Sequence, residues 1–181
     1  MGTIKATNIE PIADNGTVTL GSSGDTFSLG SGVVQSNLLG PAFCVTKADH
    51  QTISLNTTTT VTLDTEILDS DNAFSSNSFT VPTGKGGKYL IGFQMAFRNS
   101  AAFFKIEFSV FKNSSEDQPT LKQNFASSIF ESNFTNRIHT SVIRDLSAGD
   151  VLDLRALLNA GSGTAQIMSS STLFYGYRIG T

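Results

Sequence analysis

The chain has 181 residues, 12 Lys plus Arg against 15 Asp plus Glu, and a formal net charge of −3. That length suits one ordinary domain with an appendage, and the absence of any Lys/Arg cluster argues against nucleic acid as a partner. A single cysteine, Cys44, excludes an intrachain disulfide and a four-cysteine zinc site. No run of residues approaches the roughly 20 apolar positions that cross a bilayer, so no membrane insertion is expected.

The first residues, Met1 to Gly16, lack the apolar stretch of a secretory signal, which points to folding in a cytoplasm. Residues 1–41 are Gly-rich and weakly hydrophobic, and they hold a near-repeat: Thr17-Val18-Thr19-Leu20-Gly21-Ser22 returns as Thr26-Phe27-Ser28-Leu29-Gly30-Ser31. Each copy is a short β-alternation closed by a Gly-Ser turn. Such pieces cannot bury a face alone, so this stem is expected to order only against a neighbour, with a disordered tail as the alternative. Its apolar positions Ile4, Ile9, Ile12, Val18, Leu20, Phe27 and Leu29 are the expected anchoring contacts.

From residue 42 onward the pattern changes to longer runs with a period of two, the mark of half-buried strands. Strands are expected at 42–46, 51–55, 59–68 and 78–82. The clearest run begins at Tyr89, where Tyr89, Ile91, Phe93, Met95 and Phe97 share one face and Gly92, Gln94 and Arg98 the other. The next run, Phe103 to Phe111, puts Phe104, Ile106, Phe108 and Val110 on one side and Lys105, Glu107 and Ser109 opposite. Residues 114–136 carry a weak pattern, with 127–134 either strand or loop, before further strands at 136–144, 150–158 and 171–179. Charged residues are only 15% of the chain, against a usual ~25%, and Ser, Thr, Asn and Gly fill the polar positions, a composition that favours sheet. The fold class is all-β: an antiparallel sandwich or jelly roll, with residues 1–41 as stem and 42–181 as head.

Fourteen Phe and three Tyr exceed what one strand face needs. Phe103 and Phe111 lie opposite Phe104 and Phe108, and Tyr175 and Tyr177 lie opposite Phe174. Rings on a second face would stay wet in a single copy, so these four are the candidate interface of a cyclic oligomer. The alternative is a bulge that shifts register and returns every ring to one core.

Catalytic chemistry has little support. There are two histidines, His50 and His139, and no Gly-x-Ser-x-Gly elbow. The run Thr83-Gly84-Lys85-Gly86-Gly87-Lys88 lacks the Ser or Thr and the helix that a phosphate-binding loop requires. His139 reads as an ordinary strand histidine. Asp69, Asp71 and Asn72 offer oxygen ligands for Ca²⁺, but their spacing departs from the helical calcium loop and a solvated turn explains them better. Neither an enzyme, a cofactor nor a metal is expected.

Four stretches resemble the complement globular heads, which share a jelly-roll superfamily with tumour necrosis factor. Phe79 to Phe93 is similar to the family's F-x-x-P-x-x-G-x-Y-x-F signature, with two extra residues in the Gly-rich turn. Phe111-Lys112-Asn113 resembles its Lys-Asn-Gly turn, with Ser114 in place of Gly; residues 146–154 resemble its L-x-x-G-D-x-V-x-L hairpin; and residues 171–177 resemble its closing strand. The resemblance implies a ten-stranded jelly roll that trimerises through aromatic-rich strand faces. Residues 1–41 resemble the stems of phage tail-fibre and head-decoration proteins. Together they imply a homotrimeric virion component, assembled in the host cytoplasm, whose stem docks to other virion proteins and whose heads attach to a host surface polysaccharide or protein. A capsid-decoration role is the runner-up, and a polysaccharide depolymerase is a third reading that lacks an identifiable carboxylate pair.

Overall fold

A computed structural model describes residues 40–116, 122–126, 135–169 and 171–180, and every regular element among them is a strand. Numbered in chain order, one sheet (the front sheet) contains β1 (Ala42–Thr46), β2 (Gln51–Ile53), β4 (Thr65–Asp69), β7 (Gly87–Asn99), β11 (Asn136–Leu146), β13 (Ala165–Ile167) and β14 (Leu173–Gly180). The other (the back sheet) contains β3 (Thr59–Thr60), β5 (Phe74–Ser75), β6 (Ser78–Thr80), β8 (Lys105–Lys112), β9 (Ser115–Glu116), β10 (Lys122–Ala126) and β12 (Val151–Asn159). Their pairings are antiparallel, from the long β7–β11 ladder to the two-residue β5–β6 pair. The fold is the expected antiparallel jelly roll.

The core lies where the inner faces meet. β7 sends Tyr89, Ile91, Phe93, Met95 and Phe97 inward, each at most 1% exposed, and β12 answers with Leu152, Leu154, Ala156 and Leu158. Phe43 of β1 stacks on Phe79 of β6 with ring centres 4.3 Å apart, and Phe97 meets Phe108 of β8 at 5.5 Å. These ring pairs bridge the two sheets. Each buried ring removes about 150–250 Å² from water, so a few of them fill the interior of a small sandwich.

The expected strand at 59–68 is two strands in two sheets. β3 pairs with β12 and β4 pairs with β1, while Val61 and Leu63 between them are buried in the gap. Burial alternates only as far as Leu63; from Thr65 to Leu68 every residue is exposed, Ile67 at 61%, so the apolar period follows core contact over the crossing and not along β4. The Gly-rich turn before β7 closes with Lys85 N–H donating to Pro82 O at 3.0 Å, and Gly84, at a φ of 74°, takes the left-handed position that this turn demands. Of the expected stem only Gly40 and Pro41 fall among the described residues. Ile4, Ile9, Ile12, Val18, Leu20, Phe27 and Leu29 lie outside them, as do residues 127–134.

Candidate functional site

Alternation gives each sheet an outer face, and strand register lines its residues into rows. On the front sheet Leu68, Cys44, Tyr175, Gly92 and Ser141 sit side by side from β4 to β11. The adjoining row runs Ala42, Tyr177, Leu90 and Ile143. Most of these side chains are apolar, and Leu68, Tyr177 and Ile143 are 50%, 47% and 55% exposed. A groove of about 640 Å³ runs over β1 and β14, lined by Pro41, Cys44, Leu68, Tyr175, Tyr177 and Ile179 among others. This is a contiguous apolar surface on the wet side of a sheet.

Gly92 makes room for Tyr175. A Cβ at Gly92 would come within 2.6 Å of the Tyr175 ring and 2.9 Å of Ser141 Cβ, so only a bare backbone lets the ring approach β7 this closely. Cys44 is half-buried and faces this outer groove, because its neighbours Phe43 and Val45 take the inward positions. Burial pushes its thiol pKa up, which keeps it neutral and of low reactivity.

The four candidate interface rings do not form one set. Tyr175 and Tyr177 stand on the apolar front face, opposite the buried Phe174 as expected. Phe111 belongs to the outer face of the back sheet, where the Arg155 guanidinium covers its ring at 4.0 Å and pairs with Asp153 at 2.9 Å. Phe103 is a correction. It is 3% exposed and packs edge-on against Phe97 with ring centres 5.8 Å apart, whereas Phe104 is 70% exposed. The ladder starts only at Lys105, so the alternation of β8 does not extend back to 103–104. Phe103 instead tucks in beside the end of β7.

Sequence reasoning missed Leu68, Leu90 and Ile143. The signal was present: each is a large apolar residue at a parity that the core does not use, Leu90 between Tyr89 and Ile91 most plainly.

Asp69, Asp71 and Asn72 build a turn. The Asp69 carboxylate accepts from the Ala73 and Phe74 amides at 3.0 and 2.8 Å, and Asp71 accepts from the Ser70 hydroxyl at 2.6 Å. Asn72 takes a φ of 50°. These oxygens are engaged in shaping the chain between β4 and β5. His139 is exposed on β11 opposite Gln94, and His50 Nδ1 accepts from the Ser169 amide at 3.0 Å.

The back face has a different chemistry. A second cleft, of about 580 Å³, lies over β12 and is lined by Thr60, Ser76, Asn77, Ser78, Ser114 and Asp153, with Asn113 and Val151 completing it.

With both faces described, the comparison with solved structures is decisive for the fold. The globular domain of zebrafish complement 1qA protein aligns over 77% of this chain and 98% of its own, with a TM-score of 0.55 and 16% identity. This chain folds as a complement 1q and tumour necrosis factor type jelly roll. Murine APRIL at pH 5.0 aligns over 76% of this chain and 98% of its own (TM-score 0.56, 12% identity). Eiger TNF from S. frugiperda aligns over 76% and 91% (TM-score 0.55, 13% identity). No protein-family model and no curated protein sequence matches the chain.

Proposed function

We propose that this chain is a non-enzymatic display head that closes into a homotrimer and is carried on a bacteriophage particle by residues 1–41. The observation that carries the assembly is the apolar front face: Leu68, Tyr177 and Ile143 each leave about half their surface in water, and the groove beside them is lined almost wholly by carbon. A surface of that kind marks a contact between proteins, and sister chains are its simplest occupant. Three is the number implied by the likeness to complement and tumour necrosis factor heads. The Gly-Ser-punctuated repeat of residues 17–31 supports the fibre or decoration reading of the stem.

Binding alone is the mechanism. Three heads on one stem convert weak contacts with a host surface into avidity, since the second and third engagements are intramolecular. The test is a labelled antibody against the head, followed by electron microscopy of the producing phage. Label at the tail tip or fibres supports attachment, label on capsid lattice positions favours decoration instead, and particles without label anywhere overturn the virion reading.

A further inference from the structure

We infer that the cleft over β12 is a binding site for a neutral, polyhydroxylated ligand of the saccharide class. Its walls are two hairpin tips. Ser76 and Asn77 join β5 to β6 with φ of 50° and 66°, and Asn113 and Ser114 join β8 to β9 with φ of 51° and 67°, so both are two-residue turns of the type I′ kind. Both tips are fixed. The Asn113 amide nitrogen donates to Asp150 Oδ1 at 2.8 Å while its oxygen accepts from Val151 N–H at 2.9 Å, and Asn77 Oδ1 accepts from the Leu63 amide at 2.8 Å. Walls already ordered cost no further entropy when a ligand enters.

The lining matches sugar hydroxyls in kind. Thr60, Ser76, Ser78 and Ser114 bring hydroxyl groups, which both donate and accept. Asp153 sits in the cleft with its carboxylate held by Arg155, whose Nε donates at 3.0 Å and whose Nη2 lies 2.9 Å away. Both of those contacts fall on Oδ2, and Oδ1 has only a longer 3.3 Å contact with Nε, so Oδ1 of the oriented Asp153 keeps a lone pair to accept from a ligand hydroxyl. Val151 supplies a small apolar contact for a C–H face. Charge narrows the class. The Arg155 cation is taken up by Asp153 and the Phe111 ring, and what the cleft presents is a carboxylate, which disfavours phosphate or sulfate groups. Among the described residues that line the cleft none is aromatic, and Phe111 is covered by Arg155 and so is not free to stack a base.

This deepens the display reading by naming what the head grips, yet it can fail separately. A chain that binds sugar while remaining a single copy would remove the trimer alone, and a trimer whose cleft ignores every sugar would remove the cleft alone. The experiment is an amide NMR titration of the full chain with maltose, cellobiose and lactose, and with a sulfated disaccharide as the anionic arm. The expected result is saturable shifts at Ser76, Asn77, Asn113 and Ser114 with at least one neutral disaccharide, weakened about tenfold or more by Thr60→Tyr, which fills the cleft from an exposed position. Thr60→Lys, which places an ammonium beside Asp153, gives the same loss by another route, and unchanged amides in the front sheet report that each variant is folded. No shift with any neutral disaccharide, shifts with the sulfated one alone, or a response that survives both variants overturns the site.

Discussion

Asp150 opens β12's hairpin and holds it by charge. Burial alone would raise its pKa, but the Ser147 amide at 2.9 Å, the Asn113 side chain at 2.8 Å and the Lys112 ammonium at 3.5 Å outweigh that and hold it below the ordinary 3.8. A folded-state pKa below the unfolded one means the unfolded chain binds the proton more readily. The stabilisation is therefore fully present above pH 3.8 and is lost as pH falls through the folded value. Asp150→Asn is expected to cost about 1 kcal/mol at neutral pH, and urea unfolding of the two proteins should converge as pH falls through the lowered folded value. A gap that persists undiminished in acid would assign the loss to shape instead of charge. The Gly-Asp pair was legible in the sequence as part of a hairpin, and Ser147 is a local partner, but Asn113 and Lys112 lie 37 and 38 positions away and no local pattern names them. Phe103 makes the complementary point: a ring just outside a strand follows the nearest space in the core, here beside Phe97, and alternation has no authority over it.

At the scale of elements, the strands that sequence pattern revealed are those long enough to show a period. β1 falls where it was expected, at 42–46, and the strands expected at 136–144, 150–158 and 171–179 appear as β11, β12 and β14 with end shifts of two residues or fewer. β5, β9 and β13 span two or three residues each, too few for alternation to register, and β10 falls in the stretch whose pattern was weak. The front face was half legible, through Tyr175 and Tyr177; joining them to Leu68, Leu90 and Ile143 required the register, which sequence does not provide. The β8–β9 hairpin carries a prediction of its own. Ser114 holds a φ of 67° where the resembling family has Gly, and a residue with a Cβ is strained there by about 1 kcal/mol or more. Ser114→Gly should raise the midpoint of thermal unfolding by about 2–4 °C. A fall in that midpoint would show that the serine hydroxyl contributes more to the turn than its backbone strain costs.

For the whole molecule, the two proposed roles fall on opposite outer faces. The front is an apolar band that one copy leaves wet, and the back is a cleft of hydroxyls, amides and one oriented carboxylate. Because they lie on opposite sheets, the proposed closing of copies over the first would leave the second open to solvent. The central claim is the assembly. Light scattering on the purified full chain measures it most directly: three chains of 19.3 kDa give about 58 kDa, and Leu68→Glu, by placing a charge in the apolar band, should return the mass to 19.3 kDa with the fold intact. A wild-type mass of 19.3 kDa across concentrations would contradict the account.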